Sequence, residues 1–409
     1  MTLRLYDAEK DRKAVARIWR EVGWIEDEKD EQGLDVFLES GRSLVAELHG
    51  EAECIVNTDP GTLTYQEEEI QACCVTGVTT SRIARKQGLA TSVTAEALRL
   101  AAGDGDGIAI LGVFDQGFYD RLGFGTGTYE HWYTFDPAQL KDVAEPRIPI
   151  RLTKDDWEEM HACRLRRRRR HGSVNILSPQ LTRSETIWCT NGFGLGYRED
   201  SGQLSHYVWC STKSPEGGPY RIGWMAYRSR EEFLELLGLI RNLGDQVHSV
   251  RMHEPVELQM QDLLLEPFKR ERLTKASKHE HRINAYAYWQ VRMLDLHTCI
   301  AKTHLTSDDV EFNLILTDPI ERRLPEKSAW RGIGGEYTVC LGGDSESRDG
   351  LTGGLPTLRA SVGAFTRLWL GVRPATGLSW TDDLSGPEDL LAALDRALRL
   401  PIPNSDWDF

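Results

Sequence analysis

The chain has 409 residues, 40% of them hydrophobic and 27% charged, with a formal net charge of −14. At roughly 100–200 residues per domain this length predicts two to four units, each able to bury a core of its own. The acidic balance argues against general nucleic-acid binding, which needs a positive field along the phosphates, and suits a cationic substrate better.

In chain order, residues 2–6 read as a first strand, and Val15, Ile18 and Trp19 recur at helical spacing over 11–22. An acidic connector follows, from Trp24 through Glu26, Asp27 and Glu28 to Glu31. Strands are expected over 43–48 and 52–56, with turns at His49-Gly50-Glu51 and Asp59-Pro60-Gly61. A β-rich run, 70–80, enters a polar, basic stretch at 81–88. An amphipathic helix over 89–102, an apolar strand over 108–114, a short helix over 118–122 and a strand over 128–135 complete the first unit. After a linker, a strand at 150–152, a helix over 155–170, strands at 206–209 and 220–227 and a helix over 229–243 repeat that order. A third unit opens at 289–295, with strands at 312–316 and 336–341 and a Gly/Ser/Asp-rich loop at 342–354. Apolar stretches at 358–361 and 363–370 and a leucine-faced helix over 389–398 follow. The expected fold class is α/β (α+β), with units at 1–140, 147–285 and 286–409.

None of the eight cysteines forms a C-x-x-C pair, and adjacent Cys73 and Cys74 point to opposite faces of a strand. They read as reduced thiols of a cytoplasmic protein, not as a disulfide frame or zinc site. No apolar run approaches about 18 residues, so no membrane span is expected, and the first residues lack the apolar core of a secretion signal. The histidines show no helical H-x-x-x-H spacing, so no metal is expected, and His279-Glu280-His281 reads as an exposed charged loop.

The chemistry concentrates at Val78-Thr79-Thr80 and Arg85-Lys86-Gln87-Gly88-Leu89-Ala90, where a strand runs through a basic loop into a helix. A helix N-terminus leaves backbone N–H groups without intrahelical partners, and with the helix dipole these hold a pyrophosphate. Gly88 lets the backbone approach it closely. Alone, Arg85 and Lys86 read first as a solvated basic turn. The second block is Gly117-Phe118-Tyr119-Asp120-Arg121-Leu122-Gly123-Phe124-Gly125, in which Tyr119 alone reads as a core tyrosine.

Together the R-x-x-G-x-A spacing at 85–90 and the Tyr119…Gly123-Phe124 pattern resemble the GNAT superfamily of acetyltransferases. With Gln290-Val291-Arg292-Met293-Leu294-Asp295, Leu368-Trp369-Leu370-Gly371 and the aromatic Phe409, the whole chain resembles the Eis (enhanced intracellular survival) family. That resemblance implies tandem GNAT folds, the second degenerate, in which mostly antiparallel mixed sheets are flanked by helices. It implies a sterol-carrier-protein-like α+β third domain, a homohexamer, and acetyl-CoA as cosubstrate. Val78, Thr79, Thr80, Phe114 and residues 85–90 would contact the cofactor, Tyr119 would serve as general acid, and the carboxylate of Phe409 as general base. The sequence departs from the family at Arg82, Lys86, Gln87, Phe114 and Gln116, which touch the phosphate grip and the acyl pocket.

The acidic connector, with Trp24, Glu26, Asp27, Glu28 and Asp406, would form a negative mouth for an aminoglycoside, a polyamine or a lysine side chain. The same residues read equally as a solvated charge run. The run Arg166 to Arg170 reads as a subunit interface or a solvated helix end, where cations are favourable. A non-catalytic acyl-CoA-binding regulator and a lipid-binding protein are the alternative functions.

Overall fold

The computed structural model describes residues 2–114, 117–266 and 278–409. Asp115 and Gln116, the latter among the departures noted above, lie outside the described residues, as do 267–277 of the second unit.

The first unit opens with β1 (Thr2–Leu5), α1 (Ala8–Val22) and α2 (Glu28–Leu38). Asp7 caps α1 by accepting from the N–H groups of Glu9 and Lys10, and left-handed Gly23 ends it. The helix turns Val15, Ile18 and Trp19 into the core. Then come β2 (Arg42–Leu48), β3 (Glu51–Tyr65), β4 (Glu68–Thr80), α3 (Leu89–Asp104), β5 (Ile108–Gly112) and β6 (Gly125–Thr126). They form one sheet in the order β1-β2-β3-β4-β5, strand Trp289–Met293, β6, with Val174–Ile176 paired to the far end of β3. One face packs on α1 and α2, the other on α3, and Cys74 and Cys73 enter these two cores respectively. All eight cysteines are free thiols.

Two strands cross between units. Glu130–Phe135 follows β6 in sequence but lies in a second, seven-stranded sheet, between Arg282–Tyr286 and Val250–His253. Trp289–Met293, at the start of the third unit, returns to the first sheet beside β5. Helices Trp157–Leu165, Pro179–Trp188 and Arg230–Asn242 accompany the second sheet. A five-stranded sheet in the order Glu346–Asp349, Gly335–Leu341, Val310–Thr317, Thr357–Ser361, Leu384–Ser385 forms the third layer. Its helix Val362–Trp369 shares one continuous core with Trp289 and Val291 of the first sheet. The architecture is mixed α/β, as expected for GNAT-type units.

Local corrections have physical causes. No turn forms at Asp59-Pro60-Gly61, because β3 runs straight through. Pairing with β2 ends at Thr58 and pairing with Val174–Ile176 begins at Gly61, so Pro60 falls where no N–H is required. Helix 155–170 stops at Leu165, and beyond it Arg167 reaches Asp406, Arg169 reaches Glu69, and Arg168 and Arg170 share Glu257. Much of the acidic connector is the start of α2: Asp27 caps it, and Glu28, Asp30 and Glu31 occupy its first turn, where the helix dipole favours them. Strand Glu346–Asp349 forms within the Gly/Ser/Asp-rich loop, and His281 is buried rather than exposed.

Arg292 is a fully buried cation. Its Nη2 donates to Asp318 at 2.7 Å, and its Nη1 donates to the Leu122 carbonyl. The Arg292-x-x-Asp295 pattern therefore does not encode a pair: Asp295 instead caps helix Leu296–Ala301 through the Thr298 N–H.

Candidate active site

The site is built on the divergence of β4 and β5. They pair in parallel from Ala72↔Ile108 to Val75↔Leu111, although β4 continues to Thr80. A bulge marks the point of separation: Thr58 faces Val75 and Asn57 faces Gly77, leaving Thr76 as the extra residue. A bulge bends its strand. Residues 78–80 stay paired to β3, and among the described strands none pairs with their other edge.

The N-terminus of α3 lies beyond that gap. Gly88 is its N-cap at φ +79° with no side-chain cap, so the first N–H groups of a 16-residue helix keep their hydrogen-bonding capacity. Nothing lies within 4 Å of a Cβ built on Gly88. Arg85 and Lys86 are exposed and form no ion pair among the described residues. Gln87 instead closes the loop on itself, donating to the Ile83 carbonyl at 2.8 Å. Uncapped N–H groups, an open glycine and two uncommitted cations fit a pyrophosphate. Leu89 is buried and Ala90 half-buried against the α3-side core, and Val78 packs there too. Phe114 is 88% exposed, so it is not held by the fold.

Tyr119 starts a 3-10 turn, Tyr119–Leu122, that left-handed Gly123 terminates. A Cβ on Gly123 would meet Arg292 Nη1 at 3.0 Å and Asp318 Oδ1 at 3.1 Å, which adds a steric demand to the positive φ. Tyr119 is buried in the α3-side core, edge-on to Phe118 at 4.8 Å and Phe124 at 5.9 Å.

Residues 4–127 match the family described as an acetyltransferase (GNAT) domain. The first unit is GNAT-like. The whole chain is similar in fold to a conserved protein of Enterococcus faecalis V583 described as a probable N-acyltransferase, with TM-score 0.80, 17% identity, and 100% of this chain and 99% of that one covered. A GCN5-related N-acetyltransferase of Anabaena variabilis gives TM-score 0.78 at 14% identity, with both chains covered over 100%. Eis1 of Mycobacterium abscessus gives 0.77 at 19%, again with 100% of both covered. No curated protein matches the chain in sequence.

In this GNAT-like frame, Phe409 sits on the face of β5 opposite Tyr119. Leu111 shares a core with Tyr119, whereas a Cβ on Gly112 would meet Phe409 Cβ at 3.2 Å and Tyr288 Oη at 3.0 Å. Successive strand residues face opposite ways, so the two groups approach β5 from its two sides. The Tyr288 hydroxyl donates to the Phe409 oxygen at 2.9 Å and accepts from the Phe409 N–H at 2.9 Å. Burial raises the Tyr288 pKa well above its usual value, so the hydroxyl keeps its proton as a donor.

The tail is anchored residue by residue. The Arg167 guanidinium donates to both oxygens of Asp406, at 2.6 and 3.0 Å. Trp407 is buried beneath the Arg164 guanidinium, 3.8 Å from its ring centre. The Val174 N–H donates to the Ser405 carbonyl at 3.0 Å, and Thr128 Oγ1 to the Pro403 carbonyl at 2.6 Å. Asp406 is thus committed to Arg167, and the arginine run supplies its clamp. Trp24 is partly exposed and edge-on to Trp19, while Glu26, Asp27 and Glu28 are exposed and form no ion pair among the described residues. Glu31 is engaged by Arg12 and Arg20. Sequence reasoning missed Tyr288 and Arg167. A tyrosine before a strand and one arginine among five carry no local signal for a partner more than a hundred residues away.

A buried polar group underlies the bulge. Asp59 Oδ2 accepts from Thr76 Oγ1 at 2.6 Å and Asn57 Nδ2 at 2.9 Å, while its Oδ1 is buried without a partner. Burial raises its pKa from 3.8 to about 6, against the pull of Thr76, Ser40 and Asn57. A raised pKa means the native state prefers the protonated acid. The stability this gives is complete below about pH 4 and is lost as pH rises through 6. Asp59→Asn mimics the neutral form, so the variant should be more stable than wild type at pH 8 by about 2–3 kcal/mol, with no advantage at pH 4. Denaturant titrations at both pH values test this, and parallel curves for the two proteins would refute it.

Proposed function

We propose that this protein is an acetyl-CoA-dependent N-acetyltransferase acting on a primary amine. One observation carries the reading: β4 parts from β5 at the Thr76 bulge, the start of α3 beyond β4 is uncapped, and Tyr119 and Phe409 lie on opposite sides of β5. Bound acetyl-CoA would supply the acyl thioester. The N–H groups at 88–90 with Arg85 and Lys86 would hold its pyrophosphate, and the free edge of Val78, Thr79 and Thr80 would hold the pantetheine arm and the thioester oxygen. The Phe409 carboxylate would take one proton of the acceptor ammonium; as the C–N bond forms and the C–S bond breaks, the Tyr119 hydroxyl would give its proton to the departing sulfur and be restored by the second proton of the amine.

A carboxylate is a weak base for an alkylammonium, since their usual pKa values lie near about 3.5 and about 10. Desolvation of the ammonium between α2 and the tail narrows that gap. Exposed Glu26, Asp27 and Glu28 support an acceptor that is cationic at its reacting end. The same resemblance supports sterol-carrier-like character for 286–409, units at 1–140 and 147–285, a hexamer, and a cytoplasmic location. Among the described residues no helix is long and apolar enough to cross a membrane, and no acidic or His/Cys cluster could hold a metal ion.

Tyr119→Phe is the direct test. Thiol release from acetyl-CoA should fall by about 10- to 100-fold in kcat, the low end for a general acid because a thiolate leaves readily. KM for acetyl-CoA should stay within a factor of about two, because the hydroxyl acts in the transition state and not in binding. Unchanged kcat in the variant would remove Tyr119 from the mechanism. Absence of turnover with every amine, in a protein that also fails to bind acetyl-CoA, would remove the function itself.

A further inference from the structure

A cavity of about 790 Å³ opens between helix Pro179–Trp188, the second sheet and the tail. Asp408 lines it, so the cavity reaches the residue next to Phe409. Trp188 is on its wall, and the same indole packs on Trp19 and Phe37 and donates to the Asp30 carbonyl at 3.0 Å. The cavity therefore adjoins the α1–α2 side of the first unit, where the acceptor would enter.

Its walls contradict the acidic average of the chain. Lys213, Arg221, Arg251, Lys278 and Arg282 all line it. Against them stand Asp408 and Glu185. Glu185 is already paired with Arg164 at 3.1 Å, and Asp408 lies 3.7 Å from both His253 and Arg221. Lys213 and Arg282 form no ion pair among the described residues, and Lys278 donates only to Ser214 Oγ, at 3.2 Å. Arg251 is held between aromatic rings, 4.8 Å from the Trp132 centre, and its Nε is buried with no partner. Cations on several separate elements converge on one concavity, and Lys213, Arg251, Lys278 and Arg282 have no carboxylate paired with them among the described residues. Such a wall concentrates anions and repels a polycation.

We propose that this cavity is the acceptor's second subsite and holds an anionic group, a carboxylate or a phosphate, on an acceptor whose amine reaches Phe409. The acceptor is then zwitterionic: its ammonium faces the acidic start of α2 and the tail, and its anion faces the Arg251–Arg282 wall. Guanidinium pairs suit both anions, because two N–H groups can serve two oxygens at once. Naming the acceptor rests on the acetyl-transfer reading; binding of the anion does not.

Two measurements separate these. In the first, glutarate and inorganic phosphate are titrated calorimetrically into the full-length protein and into the double variant Lys278→Gln/Arg282→Gln. Both positions are exposed, so the fold should be undisturbed. Wild type should bind at least one of the two anions, and the variant should bind it about tenfold more weakly, the usual scale for a lost charged hydrogen bond. No binding of either anion, or equal binding by both proteins, overturns the subsite. In the second, kcat/KM is compared for matched amines: 4-aminobutyrate against butylamine, and aminoethyl phosphate against ethanolamine, with putrescine and an aminoglycoside alongside. The anionic member of at least one pair should win by about tenfold or more, which also tells carboxylate from phosphate. The double variant should erase that preference through KM and leave kcat for the neutral amine unchanged. A neutral or polycationic amine turning over best overturns the zwitterionic acceptor. Anion binding without any turnover would count against acetyl transfer and leave the subsite standing.

Discussion

Extending the chain by a few residues past Phe409 should lower acetyl transfer by about 10²–10⁴-fold in kcat, with acetyl-CoA binding unchanged. The proposed base is a carboxylate that exists only if Phe409 ends the chain; in an extended chain the same atoms become an amide, which cannot accept a proton at neutral pH. Position matters as much as chemistry. Tyr288 holds the Phe409 N–H and oxygen, and Gly112 leaves room for the Phe409 Cβ, which a Cβ at that position would crowd at 3.2 Å. The preceding residues are fixed by Arg167 on Asp406 and by the cover of Arg164 over Trp407. The extension therefore blocks the site instead of freeing the tail. Steady-state thiol release and an equilibrium titration with CoA, made on the same preparation, give the two quantities. Full activity in the extended protein would exclude the terminal base, and an unchanged denaturation midpoint would show that misfolding is not the cause of a loss.

Arg292→Met should destabilise the protein by about 3–5 kcal/mol, the scale for breaking a buried pair by removing one partner. Asp318 would remain buried, accepting from the Ile320 N–H at 3.2 Å and the Ile333 N–H at 2.9 Å but with no counter-charge. The Leu122 carbonyl would lose its donor, and Leu122 ends the turn that begins at Tyr119. Some kcat should therefore be lost even below the unfolding temperature. The companion variant Arg292→Met/Asp318→Asn removes both charges and should recover most of the stability, because the large penalty belongs to the unpaired charge. Denaturant unfolding of the wild type and both variants decides it. A loss under about 1 kcal/mol in the single variant, or none recovered in the double, would show that the pair does not carry this load.

Much of the first unit was legible because its signals are local. The β-rich run, the basic loop, Gly88 and the amphipathic helix occupy consecutive positions, and helix capping and strand alternation act over a few residues. Cys73 and Cys74 entering opposite cores follows from the strand period alone. The errors fall where a distant segment overrides a local preference. Pro60 reads as a turn, yet it is accommodated in a strand because the flanking strands leave a gap there. The arginine run reads as a helix end, yet four of its five cations, Arg167 to Arg170, turn to carboxylates from elsewhere, Asp406 from 239 residues away.

The sequence by itself singled out the basic loop at 85–88, Tyr119 and the aromatic tail, because each is a short pattern contained within a few residues. Only the tertiary structure decided what surrounds them. It set Phe409 against Gly112 and Tyr288, made Arg167 the anchor of Asp406, and tied Arg292 to the Tyr119 turn. It also gathered a basic cavity from an acidic chain. Net charge sums over all residues regardless of place, whereas a ligand meets only those side chains that the fold turns toward it.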